Sequence, residues 1–310
     1  SGLPQGYTPA DHARDHDLFG AWLKENYPEC LFVGPCTVGD INLFGSLEGA
    51  GGGMAAGFDM VTTEQLLGDY KSPMNVFSYH YYNGVSERGA AMGGHWPYEA
   101  CLSEQYLEVA GNCARQYVAR RDKYVPGGQM WVTESGDAGC GGNTWGSTYA
   151  DVPRTLNELG DFCTVTDGVI FHNTLASSDY GYLKHGTFEP RPNYFAVKLW
   201  NELMGSTVYD SGMKAEEGKH VYCHSRKDGK EGCVYLIINN SKTDVTTVEL
   251  PKDAVKYTLS GKNGLRSRVM QLNGRDLVLG EGDALPCLCG EEVAAGKLEL
   301  APTTCTFIVL

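Results

Sequence analysis

The sequence predicts an α/β unit joined to an all-β one. Four βα units, the second half of a (β/α)8 TIM barrel, are expected over residues 1–205, followed by an antiparallel β-sandwich over 206–310. Three observations carry that prediction. Short apolar runs alternate with longer helical stretches as far as Met204, the pattern of a parallel sheet built from βα units. Polar and aromatic residues gather directly after the runs, at Tyr79–Tyr82, Glu134–Asp137 and His172–Thr174, the edge at which barrels keep their chemistry. Beyond Ser206 helical periodicity disappears and short β-type runs follow one another with turn residues between.

Thr8-Pro9 reads as an N-cap followed by proline in the first turn. It opens a helix to about Tyr27 with an apolar stripe of Leu18, Trp22 and Leu23. A strand over Leu31–Pro35, a helix over Thr62–Tyr70 and a strand over Asn75–Tyr81 come next. A glycine-rich loop at 84–95 precedes a long helix over Tyr98–Lys123, then a strand over Gln129–Glu134 and a helix over Tyr149–Leu159. Gly168–His172 and Asn193–Met204 supply the last strand and helix of this part. In the second part, strands are expected at Val221–Cys223, Cys233–Ile238, Val245–Leu250, Val255–Leu259, Leu277–Leu279 and Thr306–Leu310. Four βα units leave two unpaired sheet edges, so the front half of the barrel is expected outside this chain. Ser1–Gly6 has no basic or apolar leader character and reads as the middle of a protein.

Composition narrows the function. The 310 residues carry 25 Lys+Arg against 38 Asp+Glu, a formal charge of −13 that disfavours a nucleic-acid partner. The imbalance sits in the first part: residues 206–310 hold 13 basic and 14 acidic side chains, leaving 12 and 24 for residues 1–205. No window approaches the roughly 18 uninterrupted apolar residues of a membrane span. There is no GxGxxG after the first strand and no GxxxxGK[ST], which disfavours nucleotide-binding sheets. No Cys-x-x-Cys pair suggests a metal, and no organic cofactor is implied. The 11 cysteines are dispersed, which fits an oxidising compartment and disulfides, and the odd number leaves at least one thiol unpaired within the chain. Asn239-Asn240-Ser241 is a glycosylation sequon.

Two places could carry catalysis. Glu134 ends an apolar strand and precedes Ser135-Gly136-Asp137-Ala138-Gly139-Cys140-Gly141-Gly142. A carboxylate fixed at a strand end beside a glycine-rich loop suits a nucleophile or an acid/base, although a glutamate that merely meets solvent explains the spacing equally. Asp137 reads as a turn residue. In Tyr79-His80-Tyr81-Tyr82, strand alternation turns His80 and Tyr82 to one face and Tyr79 and Tyr81 to the other. His80 and Tyr82 could hydrogen-bond a carboxylate or a sugar hydroxyl, or could belong to an aromatic core. His172-Asn173 favours a structural role.

The series NVFSYHYYNG, MWVTESGDAGCGG, GVIFHNTL and DYGYLKHGTFEPRPNYFAVKLWNELMGSTV resembles glycoside hydrolase family 79, the heparanase-like β-glucuronidases, in order through most of residues 1–210. The resemblance implies a (β/α)8 barrel with an appended β-sandwich and hydrolysis with retention. Glu134 matches the nucleophile, His80 the histidine at the preceding strand end, and Tyr82 an aromatic wall of the site. Cys140, Gly141 and Gly142 match the turn whose backbone N–H groups hold the glucuronate carboxylate, and Tyr180 matches a tyrosine that helps bind it. Cys140 departs from the small residue usual there. The family's Asn-Glu pair, which carries the acid/base, is absent; it is expected just upstream of Ser1, because Asn157-Glu158 and Asn201-Glu202 lie in helices. The isolated chain is therefore expected to be inactive, with the acid/base and the N-terminal half of the barrel supplied by another chain or segment. The expected partner is a glucuronic-acid-containing glycan, less charged than sulfated chains given the acidic barrel part, in a secreted or lysosome- or vacuole-like setting. An arabinofuranosidase-like glycosidase of the same architecture, or a non-catalytic glycan-binding descendant, would share these features.

Overall fold

A computed structural model describes residues 4–38, 62–214 and 216–310; the Ser1–Leu3 opening lies outside them. Thr8 caps the first helix as its sequence requires: its hydroxyl accepts the Asp11 N–H at 3.2 Å, and the Asp11 carboxylate accepts the Thr8 N–H at 2.9 Å. The α/β part then runs α1 (Pro9–Asn26), β1 (Val33–Thr37), α2 (Thr63–Leu67), β2 (Val76–Tyr82), α3 (Glu104–Leu107), α4 (Val109–Tyr124), β3 (Gln129–Gly136), α5 (Val152–Val165), β4 (Ile170–His172) and α6 (Pro192–Leu203). The long helix expected over 98–123 is interrupted. A short turn of helix at Tyr98–Ala100 ends before Ser103, whose hydroxyl accepts the Tyr106 N–H at 3.3 Å and so starts α3 as a separate element.

The four strands pair in parallel in the order β1-β2-β3-β4. Alternation along β2 does what its sequence predicts. Tyr79 and Tyr81 are fully buried under the helices, Tyr79 stacked on Tyr117 of α4 at 4.0 Å and Tyr81 edge-on to Phe162 of α5 at 5.3 Å. Met130 and Val132 of β3 join the same core. The outer flanks differ. The α1 stripe buries only in part: Leu23 is half-buried while Leu18 and Trp22 are exposed, as are the neighbouring Phe19 and Val169 and Phe171 at the β4 edge.

The second part comprises β5 (Met204–Tyr209), β6 (Lys219–Arg226), β7 (Cys233–Asn239), β8 (Thr246–Leu250), β9 (Ala254–Gly261), β10 (Met270–Leu272), β11 (Arg275–Asp276), β12 (Glu291–Val293), β13 (Gly296–Leu300) and β14 (Thr304–Val309). The main sheet is ordered β11-β10-β9-β14-β7-β6-β5 with β12 beside β9, and β13-β8 forms a second layer. Alternation on β7 shows how three layers stack. Leu236 and Ile238 pack with Leu156, Phe195 and Leu199 of α5 and α6, while Ile237 faces Val248, Leu250 and Leu300 of the small sheet. β5 follows α6 directly, so the expected divide at 205/206 falls inside a strand.

Three sequence expectations need correction. Leu277–Leu279 is not a strand; the hairpin lies just before it, where Asn273 and Gly274 take left-handed φ values of 49° and 77° and join β10 to β11. The dispersed cysteines do not form a disulfide framework: Cys287 pairs with Cys289, and the other nine are thiols. The sequon is buried. Asn239 has no exposed surface, and its amide nitrogen donates to the carbonyls of Asp244, Leu300 and Ala301 at 2.9, 3.1 and 3.1 Å. A glycan on that nitrogen is incompatible with this packing, and Asn239 instead ties the end of β7 to the β13–β14 corner.

Candidate active site

The site forms where β2, β3 and β4 end. β3 carries one extra residue relative to β2: Val132 pairs with Tyr79, and the next pairing is Glu134 with His80. This bulge at Thr133 re-aims the strand end and sets the two side chains opposite one another, with His80 Nδ1 2.7 Å from Glu134 Oε2. The other carboxylate oxygen accepts the Asn173 amide at 2.5 Å. The same amide nitrogen donates to the Tyr82 hydroxyl at 2.8 Å and reaches the Tyr180 hydroxyl at 3.5 Å. Both oxygens of Glu134 are thus oriented by donors, and its side chain keeps 32% exposure, enough to meet a ligand. Burial raises the pKa of the Tyr82 phenol, and less strongly that of Tyr180, so both stay protonated beside the carboxylate.

The glycine-rich loop is held from below. Asp137 is buried, and its carboxylate accepts the Asn143 N–H at 2.9 Å. Burial, reinforced by Asp151, pushes its pKa up to about 8, and through Asn143 Asp137 anchors the turn from the interior. Cys140, Gly141 and Gly142 have consecutive left-handed φ values of 63°, 90° and 78°. A Cβ on Gly142 would stand 2.7 Å from the Tyr180 backbone nitrogen, so glycine there lets the two loops touch. The Gly142 N–H is spent inside the loop, on the Ala138 carbonyl at 3.0 Å. That corrects the expectation for Gly142. Among the described residues the Cys140 and Gly141 amides have no acceptor.

Tyr180 is positioned by His172 and by two arginines whose roles the sequence did not reveal. His172 hydrogen-bonds the Tyr180 carbonyl through Nε2 at 2.7 Å and stacks on Tyr182 at 3.9 Å. Burial pulls its pKa down to about 4, so it is a neutral strut, as its sequence context favoured. Arg191 donates to the carbonyls of Ser178, Asp179 and Gly181. Arg88 bridges the two loops, bonding the Gly142 carbonyl at 2.8 Å and pairing with Asp179. The structural role favoured for Asn173 needs correction, because its amide holds Glu134; no local signal separates a carboxylate-orienting asparagine from a structural one.

Among the described residues no second carboxylate belongs to this hydrogen-bonded cluster, and none group as a three-ligand metal site. Glu158 is buried against Arg154 in α5, and Glu202 pairs with Lys198 on the surface of α6 at 2.6 Å, so neither Asn-Glu dipeptide serves the site. No helix among the described residues is long and apolar enough to cross a membrane.

No family model matches the chain. Individual relatives do. Over 98% of its length it is 30% identical to baicalin-β-D-glucuronidase of Scutellaria baicalensis, covering 55% of that protein. It is 28% identical to heparanase-like protein 1 of Arabidopsis thaliana, over 77% of this chain and 50% of the relative. Among solved structures, a 4-O-α-L-rhamnosyl-β-D-glucuronidase from Fusarium oxysporum superposes with a TM-score of 0.67 at 12% identity, covering 99% of this chain and 65% of that one. That likeness speaks to the fold. The chain spans about half the length of the curated relatives it matches. By sequence it is similar to the baicalin-β-D-glucuronidase along nearly all of its own length and to the heparanase-like protein along about three quarters of it.

Proposed function

We propose that this chain carries the nucleophile half of a retaining β-glucuronidase. The observation that carries the reading is Glu134, held by His80 and Asn173 beside Tyr180 and the 140–142 turn. Glu134 attacks the anomeric carbon of a β-linked glucuronide and forms a glycosyl-enzyme that water then hydrolyses. Orientation of both carboxylate oxygens leaves little reorganisation to reach attack geometry. The sugar's carboxylate lies toward the Cys140 and Gly141 amides and the Tyr180 hydroxyl.

The acid/base belongs to another stretch of polypeptide that completes the (β/α)8 barrel. Exposed apolar side chains on both flanks of the sheet, Leu18, Phe19 and Trp22 on one and Val169 and Phe171 on the other, support an absent neighbour there. In this reading residues 1–205 are the second half of the barrel and 206–310 its sandwich. The excess of acidic residues in 1–205 favours a glucuronide less charged than a sulfated chain. A secreted or lysosome- or vacuole-like location rests on the family likeness alone, since the sequon is buried and a single disulfide forms.

The test is proton NMR of an aryl β-D-glucuronide with the full-length protein. The β-anomer of glucuronic acid is expected first, with the α-anomer growing in by mutarotation. An α-anomer first would exclude a Glu134 nucleophile, and turnover of an aryl arabinofuranoside without the glucuronide would transfer the site to the other sugar.

A further inference from the structure

The loop that follows β2 is fixed before it reaches the site. Gly84 has no room for a side chain, since a Cβ there would stand 2.5 Å from the Gly94 carbonyl oxygen and 2.7 Å from Trp96. The Val85 N–H donates to that same carbonyl at 3.0 Å, and His95 Nδ1 hydrogen-bonds the Val85 carbonyl at 2.9 Å. Val85 also bridges Gly139, whose N–H donates to the Gly84 carbonyl at 2.9 Å. Ser86 comes next, with no exposed surface. Its N–H donates to the Gly139 carbonyl at 3.0 Å and its hydroxyl to the Cys140 carbonyl at 2.9 Å. One buried residue thus holds two successive peptide planes of the glycine-rich turn.

In a trans peptide the carbonyl and the N–H of one plane point in opposite directions. The plane with the Gly139 carbonyl carries the Cys140 N–H, and the plane with the Cys140 carbonyl carries the Gly141 N–H. Ser86 draws both carbonyls to its own side, so both N–H groups face away from it. These are the two amides of the turn without an acceptor. The next two carbonyls are engaged as well, Gly141 accepting the Asp179 N–H at 2.9 Å and Gly142 accepting Arg88 at 2.8 Å. Every carbonyl from Gly139 to Gly142 therefore has a donor, and none is left to oppose an anion.

Without the Ser86 hydroxyl the plane between Cys140 and Gly141 could turn over. Gly141, at φ of 90°, has no Cβ and tolerates either sign of φ. Turned over, the plane would present the Cys140 oxygen where the Gly141 N–H had stood, replacing a donor by an acceptor. We infer that Ser86 is a specificity-determining positioning residue. Its hold on the two planes keeps the Cys140 and Gly141 amides directed at the carboxylate of a uronic acid, so the site takes the acid in preference to the same sugar with a hydroxymethyl group. The inference rests on the proposed glucuronide reading for its ligand; the hold on the turn does not.

The test uses two iminosugars that differ only in carrying a carboxylate or a hydroxymethyl group at that position. Their binding to the full-length protein, native and Ser86→Ala, is measured by calorimetry. Ser86→Ala is expected to bind the carboxylate form about ten- to a hundredfold more weakly, the scale of a hydrogen bond to a charged group, with the hydroxymethyl form far less affected. Equal weakening of both forms would mark a general loss of structure and overturn the inference, as would an unchanged affinity for the carboxylate form. A native protein that does not prefer the carboxylate form would remove the glucuronide reading itself. Amide hydrogen exchange of residues 138–144, followed without ligand, then still decides whether Ser86 holds the turn. The Gly142 and Asn143 amides, bonded to the Ala138 carbonyl and the Asp137 carboxylate, are expected to exchange faster in Ser86→Ala. Equal rates would contradict the hold on which the inference stands.

Discussion

In the full-length protein, Glu134→Gln is expected to abolish turnover, lowering kcat/KM for an aryl β-glucuronide by about 10⁴-fold or more, the scale at which loss of an enzymatic nucleophile is felt. The substitution is nearly isosteric. The glutamine side chain keeps an oxygen able to accept the Asn173 amide, and its own amide replaces the oxygen 2.7 Å from His80. Reversal of the hydrogen bond to His80 is met by the other imidazole tautomer, so the fold and the sugar-binding loops are expected to persist. What disappears is the negative charge able to form a bond to the anomeric carbon. KM should therefore move far less than kcat. Residual activity above a few per cent of native, after contamination is excluded, would remove Glu134 from the chemistry. Azide supplied to Glu134→Ala is expected to restore cleavage of an activated substrate and to yield an α-glycosyl azide, because a small external nucleophile then attacks from the vacated face.

Arg154→Leu is expected to produce the largest loss of stability. Arg154 lies at 1% exposure at the start of α5, with Nε and Nη2 on Asp151 at 2.6 and 3.0 Å and Nη1 on Glu158. Asp151 also accepts Asn193 of α6 at 2.7 Å, so the guanidinium neutralises a buried polar node shared by two helices. A wholly buried ion network is not itself strongly stabilising, since desolvation offsets much of the attraction. Removing one partner leaves its carboxylates without compensation, however, and costs about 3–5 kcal/mol. That is a large fraction of the roughly 5–15 kcal/mol by which domains are stable. Both Asp151 and Glu158 would then have to bind protons or admit water, and α5, on which the two main cores meet, would loosen. Urea unfolding of native and variant protein measures the difference; a change below about 1 kcal/mol would contradict a network that depends on its single cation.

The features legible in the sequence are those set by local periodicity. Strand alternation places His80 and Tyr82 on the site face and Tyr79 and Tyr81 in the core, as the structure has them. The cap at Thr8 starts its helix because the hydroxyl and the residue three positions on are both encoded locally. Register is another matter. The bulge at Thr133 arises from pairing between strands far apart in the chain, and it decides which side chains meet. Asn173 became interpretable only once β4 was placed beside β3. The sequon at Asn239 failed for the same reason: its chemistry is local, but the carbonyls of Leu300 and Ala301 that bury it lie at the next turn of the sandwich. The role expected of Gly142 rests on the family resemblance, and only the packed loop shows that its N–H is already donated to Ala138.

The most direct test is covalent capture. The full-length protein is incubated with a glucuronic-acid-configured cyclophellitol, whose strained ring traps a retaining nucleophile as an ester, then digested and sequenced by mass spectrometry. One adduct is predicted, on the carboxylate of Glu134 within the peptide that contains Trp131-Val132-Thr133-Glu134. An adduct on any other carboxylate, with Glu134 recovered unmodified, would contradict the account at its centre.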